Sequence, residues 1–533
     1  MTKTSEAPKP MRNGFRIEKV IYLFLFIFVP VFFAMSAQIG GPLEDGFHEG
    51  EYLIAVTAIR DYYLGTSAFP VLVHGAMDFI PALMADKVAG QEYLIVWTRL
   101  FNTLIVALCW VVYMDLVRTV LRNHAQRLVL LGAFIALFFF MTNAADTDPV
   151  HRQQSFIGTR DLFLMLSIWG TAKAAVCVRS FASLVFLVLS GLAAALCLYW
   201  SYDRGVIAGV WMIMLSLGFI YQRKYKNTAV LLLSYVAGLF LASSIKILGT
   251  LAEALNNVLY WVKSSGDVWY MPLKGKMMAI PGAVSLMLFA LLVLAFAVQW
   301  VLNNRQHRFA PHVLGIMLMQ AVFLTKLYSL PSFPTNHYFV WPSIVLLMII
   351  APELTWARIL NAQLTNFWRE GHGWHAATRG NKVLFGALVM LTLSFFSNAV
   401  ALSVLTVRSA VKTHTNMELL DIQRYALDGL VTENLSCVFL WTNEGVLSLF
   451  LQKPACTKYA YPVYISRAQE ATVLGELKKT PPGLIVYDSP FWSTAIFGRT
   501  MKERLPAIDQ FINENYVFSK NRYGYVFATP KQK

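Results

Sequence analysis

The sequence predicts a mainly α-helical, polytopic transmembrane bundle of about eleven spans, followed by a C-terminal α/β domain. Three observations predict it. Of 533 residues, 57% are hydrophobic and only 14% are charged. Apolar runs repeatedly reach the roughly 20 residues needed to cross a bilayer. The last 125 or so residues return to the mixed pattern of a folded soluble domain, long enough for one by ordinary size.

The first run, Val20 to Ala37, follows Lys3, Lys9, Arg12, Arg16 and Lys19 and has no small-residue cleavage site at a suitable distance. It reads as a retained signal-anchor with a cytoplasmic N-terminus. Further spans are expected at Ile95–Val117, Leu128–Thr142, Asp161–Cys177, Phe181–Trp200, Val206–Tyr221, Ala229–Leu251, Ala283–Leu302, His312–Leu327, Tyr338–Ile350 and Val383–Val407. Basic residues fall in alternate loops: Arg118, Arg122 and Arg127; Arg179; Arg223, Lys224 and Lys226; Arg305 and Arg308; Arg358, Arg369, Arg379 and Lys382. This positive-inside pattern accounts for much of the net charge of +15. Nucleic-acid binding is therefore not expected, since no soluble segment interleaves basic and aromatic residues. An odd span count from a cytoplasmic N-terminus puts residues 408–533 outside, in the periplasm or extracellular space, and residues 1–407 form the membrane module.

In the C-terminal domain, strands are expected at Cys437–Trp441, Leu484–Tyr487, Tyr516–Ser519 and Tyr523–Ala528, and helices at Met417–Leu430, Glu444–Leu451, Ala468–Lys479 and Lys502–Asn515, with Asn443 as an N-cap. Cys437 and Cys456 lie in this outer domain and are candidates for a disulfide. Cys109, Cys177 and Cys197 fall in apolar runs and read as small buried hydrophobes. No CxxC, HExxH, zinc spacing or GxxxxGK[ST] phosphate loop occurs.

Acidic residues gather in the outer loops. Directly after the first span stands Gly41-Pro-Leu-Glu-Asp-Gly-Phe-His-Glu-Gly-Glu-Tyr52. Carboxylates are costly beside hydrocarbon, so Glu44, Asp45, Glu49 and Glu51 point to a site. Asp45 and Glu49 are the leading candidates, because a spacing of four places them on one side of a continuous turn. Glu44 and Glu51 read as capping or solvated residues, and His48 lies between the candidates. The loop from Gln38 to Tyr93 also carries an apolar stripe, Tyr52, Leu53, Val56, Ile59 and Tyr63, which suggests a helix lying in the interface. His74 and Asp78, four apart, either line the same cavity or satisfy local backbone groups.

The second outer loop holds Asp146 and Asp148, candidate ligands of a divalent cation, with Arg152 and Arg160 suited to a phosphate. Solvated loop acids are the alternative for the two aspartates. Asp203 and Arg204 stand in a short connection, Trp200 to Gly205, and either pair with each other or hold an anionic lipid head group. Lys263, Lys274, Lys276 and His337 are further outer-loop candidates.

The first-loop acids, the long first loop, the acid-bearing second loop, the many spans and the C-terminal α/β domain together resemble the polytopic GT-C glycosyltransferases. That superfamily includes oligosaccharyltransferases, protein O-mannosyltransferases and aminoarabinose transferases. The Asp-Gly-x-His-Glu-Gly order is most like the bacterial envelope-glycan members. The resemblance implies transfer of a sugar from a polyprenyl-phosphate donor to a glycan or lipid-linked acceptor, at a plasma (inner) membrane. It also implies a first-loop carboxylate, Asp45 or Glu49, as catalytic base. Such chemistry needs one base and one or two fixed cations, for which Arg204, Arg160 and Arg152 are available; His48, His74, Asp78 and His337 would line the cavity. A polymerase or ligase of lipid-linked polysaccharide would use the same face. A flippase would instead place charges deep within several spans.

Overall fold

The computed structural model describes residues 48–121, 159–268, 281–329, 340–350, 430, 435–442, 444–490 and 499–531. The expected spans Val20–Ala37, Leu128–Thr142 and Val383–Val407, the helix Met417–Leu430 up to its last residue, Asn443 and the boundary near 407 lie outside them.

The first loop folds as helix α1 (His48–Leu64), a 3₁₀ turn at Ala76–Asp78 and helix α2 (Ile80–Ala89). The bundle follows as α3 (Leu94–Val120), α4 (Leu162–Val176), α5 (Ser180–Trp200), α6 (Tyr202–Tyr221) and α7 (Tyr225–Ser243). After α8 (Leu251–Val268) come α9 (Pro281–Asn303), α10 (Ala310–Ser329) and α11 (Val340–Ile350). Among the described residues, four helical stretches are long and apolar enough to cross a membrane: Gln91–Val120, Ser180–Trp200, Tyr202–Tyr221 and Tyr225–Ser243. The bundle core is threaded by Tyr113, Met165, Leu187, Trp211 and Ile316, all 0–1% exposed. Leucines on the outside of α5, α7 and α9, such as Leu189, Leu233 and Leu292, stay exposed, as expected for helices facing lipid.

Two expected features change. The run Ala229–Leu251 is not one span: α7 stops at Ser243, and Thr250 starts a new helix. Thr250 Oγ1 accepts the Glu253 N–H at 3.2 Å while the Glu253 carboxylate accepts the Thr250 N–H at 2.6 Å, a reciprocal cap stronger than the continuing hydropathy. The connection Trp200 to Gly205 shrinks to Ser201, because α6 begins at Tyr202. Gly205 permits this tight corner, since a Cβ there would lie 2.3 Å from Leu198 Cα.

The bundle has two distinct ends. The Arg118, Arg179, Arg223–Lys224 and Arg305–Arg308 connections lie at one end, where Gln222 donates to the Arg305 and His307 carbonyls. The first loop, the α5–α6 corner and α8 lie at the other, where they meet the C-terminal domain.

That domain is built on a four-stranded sheet in the order β1 (Val438–Leu440), β2 (Leu484–Asp488), β4 (Val526–Pro530), β3 (Tyr516–Lys520). β1 and β2 are parallel, while β4 is antiparallel to both its neighbours. Helices α12 (Glu470–Lys479) and α13 (Pro506–Asn515) pack on it. The expected helix Lys502–Asn515 breaks before Pro506, which lacks the N–H a helix interior requires. The expected helix Glu444–Leu451 is a 3₁₀ turn, Gly445–Leu447, followed by one α-turn. The last strand starts later than Tyr523, because the Asn521 side chain accepts from the Tyr523 and Tyr525 N–H groups and closes a turn there. The disulfide is formed: Cys437 and Cys456 are bonded with their Cα atoms 5.1 Å apart, tying β1 to the chain near Ala455. Cys109 and Cys197 are buried as expected, whereas Cys177 ends α4 and is partly exposed.

α1 is not an interfacial helix lying open on lipid. It is sandwiched: Tyr52, Leu53, Val56 and Ile59 pack into the first-loop core, while Ile54 and Ala58 join the core of the C-terminal domain. Only Tyr63 of the stripe is exposed. The cause is apolar residues on both faces of the helix. The two backbones touch where Gly50 meets Gly445, and a Cβ on either would lie within 2.8 Å of the other's main chain.

Candidate active site at the loop end of the bundle

The site is assembled from three short segments that converge where α3, α4, α5 and α6 end. The first is the turn around His74. Asp78 accepts the His74 backbone N–H at 2.7 Å and sits 2.8 Å from its Nδ1, so one carboxylate fixes both the turn and the ring. Of the two readings of the His74–Asp78 spacing, the geometry shows the second, in which Asp78 satisfies a local backbone group. Gly75, at φ 126°, lets the turn press on α5, for a Cβ there would stand 2.7 Å from the Tyr199 carbonyl oxygen. The Tyr202 N–H then donates to the His74 carbonyl at 2.6 Å.

The second segment is the 3₁₀ turn Thr159–Asp161 ahead of α4, held to α5 by Trp200 Nε1 donating to the Thr159 carbonyl at 2.6 Å. The third is the α5–α6 corner. Arg204 Nε donates to Asp161 at 2.6 Å and its Nη1 to Asp203 at 2.8 Å. Asp203 in turn accepts from Ser201 Oγ at 2.8 Å and from the Arg204 N–H at 2.9 Å. Arg160 bridges the first and third segments, with Nη2 on His74 Nε2 and Nη1 3.7 Å from Asp203.

A guanidinium can only donate, so His74 Nε2 accepts, Nδ1 carries the proton, and the ring is neutral. Burial lowers the His74 pKa most, the Arg160 charge lowers it further, and Asp78 opposes both. The chain Asp78, His74, Arg160, Asp203, Arg204, Asp161 is therefore one continuous polar network. Arg204 is fully buried and engaged by two carboxylates, so it stands behind the site. Arg160 is 8% exposed, and its Nε has no partner among the described residues; neither has the buried hydroxyl of Thr159. These are buried donors without an acceptor among the described residues, free to meet a ligand.

His48 and Glu49 open α1, and Asp45, Asp146, Asp148, Arg152 and His337 lie outside the described residues. Glu51, expected to be solvated or capping, is only 4% exposed, because α1 is covered by the C-terminal domain. Sequence reasoning passed over Arg99 and Asn102, buried one turn apart in α3 at 4% and 1% exposure. The signal was present, since a charge inside an apolar run marks a functional position by default. It also treated Asp161 as the mere start of a span. No group of three metal-ligating side chains converges among the described residues.

No family model matches the chain, and no curated protein matches it. Solved structures do match. One is the crystal structure of ArnT from Cupriavidus metallidurans bound to undecaprenyl phosphate, at 14% identity and a TM-score of 0.51, covering 97% of this chain and 98% of that one. The chain shares the fold of that neighbour along nearly its whole length.

Proposed function

We propose that this protein is a membrane glycosyltransferase that takes a sugar from a polyprenyl-phosphate donor and passes it to a glycan or lipid-linked acceptor. The reading is carried by the likeness, along nearly the whole chain, to a protein solved with undecaprenyl phosphate. Arg160 Nε and the Thr159 hydroxyl, which have no partner among the described residues at the loop end of the bundle, support it. A sugar on a polyprenyl phosphate is already activated, so the protein must accept a proton from the acceptor hydroxyl and stabilise the departing phosphate.

Asp45 takes that proton, with Glu49 in support. The acceptor oxygen attacks the anomeric carbon as the carbon–oxygen bond to phosphate breaks, and the electron pair leaves with the phosphate. Direct displacement inverts the anomeric centre. Arg160, joined by Arg152, receives the phosphate, while Arg204 acts through Asp203 and His74 through its own ring nitrogen to hold Arg160 in place. The described network carries three carboxylates against two guanidiniums, so Arg152 is needed for an anion to be favoured there. Asp146 and Asp148 remain candidate ligands of a divalent cation, and His48 and His337 candidate cavity residues. The basic connections gather at the end away from the C-terminal domain, which supports a cytoplasmic N-terminus and an outer C-terminal domain in a plasma (inner) membrane.

The test uses purified protein, a polyprenyl-phosphate sugar and the native acceptor. Asp45→Asn should lower turnover about a hundredfold to ten-thousandfold, the usual worth of a general base, with donor-lipid binding nearly intact. Wild-type turnover in both Asp45→Asn and Glu49→Gln would defeat the assignment of the base. Failure of the pure protein to bind any polyprenyl phosphate would defeat the donor class.

A further inference from the structure

A cleft of about 430 Å³ opens between the first loop, helix α8 and the C-terminal domain. Its size lies within the roughly 300–1,000 Å³ of small-molecule sites. Phe69, Tyr260 and Tyr459 contribute its aromatic surface, and these rings are fixed. Phe69 stands edge-on to Tyr62 at 5.0 Å, and Tyr459 lies 5.7 Å from Tyr260. The Tyr260 hydroxyl donates to the Tyr464 carbonyl and accepts from the Ser466 N–H.

The polar groups around the rings are differently placed. Lys263, Asn256 and Gln469 line the cleft with no side-chain partner among the described residues. Among the described residues, the Lys458 ammonium has only the Tyr459 ring, at 5.5 Å. The one acid in the lining, Glu253, is occupied by Thr250 and Tyr62. A rigid aromatic floor with partnerless amides and two lysines suits a ligand that has apolar ring faces, many hydroxyls and a negative charge.

The cleft adjoins the candidate site. Asn257 donates to the Tyr202 hydroxyl at 3.2 Å and to the Pro70 carbonyl at 3.4 Å, and Trp261 Nε1 donates to the Leu72 carbonyl at 2.8 Å. Val71 lines the cleft, and three extended residues from it to His74 span at most about 11 Å.

We propose that this cleft binds the sugar chain of the acceptor, specifically a saccharide carrying a carboxylate or phosphate. The identification of the occupant as the acceptor rests on the glycosyltransferase reading above. Because the C-terminal domain supplies Lys458, Tyr459 and Gln469, it then forms one wall of the acceptor site.

The experiment titrates the full-length protein in detergent with an oligogalacturonate and with a neutral malto-oligosaccharide of equal length, by calorimetry, at low and at physiological salt. No transfer is needed, so the outcome is independent of the donor chemistry. The acidic sugar should bind more tightly, and more weakly as salt rises. The double variant Lys263→Gln, Lys458→Gln should lose about tenfold in its affinity, and Asn256→Trp, which fills the cleft from an exposed position, should abolish binding of both sugars. Neither substitution removes a side-chain hydrogen bond among the described residues. Donor binding measured on the same samples should stay unchanged, which separates this proposal from the donor assignment. No saccharide binding by the wild type, or equal binding of both sugars unaffected by the lysine changes, would overturn it.

Discussion

Arg204 and Asp115 belong to charge clusters at opposite ends of the same helices, and the two clusters are built very differently. Asp115 of α3 receives Lys173 of α4 at 2.6 Å and Trp169 Nε1 at 2.7 Å, with Arg118 at 4.0 Å. Its members keep 21–58% of their side-chain surface in the pairs that include Arg118. At the other end, Arg204 and Asp161 are each 1% exposed, and the network runs through three separate segments. The Asp115 cluster ties neighbouring helices where they meet the polar medium. The Arg204 network is sealed and places one cation, Arg160, whose Nε has no partner among the described residues. The two clusters thus serve different ends, and the difference lies in burial and in which donors lack a partner among the described residues.

The sharpest way to break this comparison is Arg204→Met. The substitution keeps the bulk of the side chain but takes the Arg204 charge from buried Asp161, while the partly exposed Asp203 keeps Arg160 at 3.7 Å; the loss should cost about 3–5 kcal/mol. It should be read as a large fall in thermal midpoint in detergent. Arg204→Met combined with Asp161→Leu should recover much of that loss, because no buried charge then stands alone. A single variant as stable as the wild type would show that the two clusters are alike.

Arg160→Gln should separate stability from function. It leaves the Arg204 pairs intact and can still reach His74, so the melting point should move little. Donor-phosphate affinity should fall by about tenfold or more, since a charge-assisted contact is worth about 1.5–3 kcal/mol. An unchanged donor affinity would make Arg160 another structural tie, like Lys173.

A third expectation concerns pH. The folded pKa of His74 is lowered, mainly by burial, from an unfolded value near 6.5. Below that value the unfolded chain binds a proton that the folded chain resists, so His74 makes stability fall as pH drops from about 7 toward 5. Protonation would also set Nε2–H against a guanidinium. Melting curves of wild type and His74→Gln between pH 5 and 8 should converge toward acid, where the wild type loses its advantage. Parallel curves would mean that His74 is not held neutral.

The smallest effect is expected from Asp115→Asn. Partly exposed pairs are screened, and the amide still accepts from Trp169, so the change should stay below about 1 kcal/mol. A loss as large as that of Arg204→Met would move the weight of the structure to the basic end.

The helices were legible because lipid imposes a simple rule. Backbone groups must be satisfied within the segment, so a span is a long apolar helix readable from composition alone. α3, α5 and α9 fall within four residues of their expected limits for this reason. Strands β1, β2 and β3 were legible from β-branched and aromatic runs. Local caps at Thr250 and Pro506 then redrew two boundaries that hydropathy had blurred. The character of α1 was misread because an apolar stripe states that a face is covered, not by what.

The residue types of the site were visible in sequence, and His74 with Asp78 even showed the right spacing. Their partners were not. Arg160 lies 86 residues from His74, and Asp161 lies 43 from Arg204. Such separations are bridged only by counting the helices between and knowing how far each one rises. Sequence by itself determined the membrane class, the alternation of basic loops and the presence of an α/β domain, because each follows from solvent and local periodicity. Only the tertiary structure decided which charges meet, which donors have no partner among the described residues, and that the C-terminal domain closes over α1. Those facts depend on where helices of particular length end relative to one another.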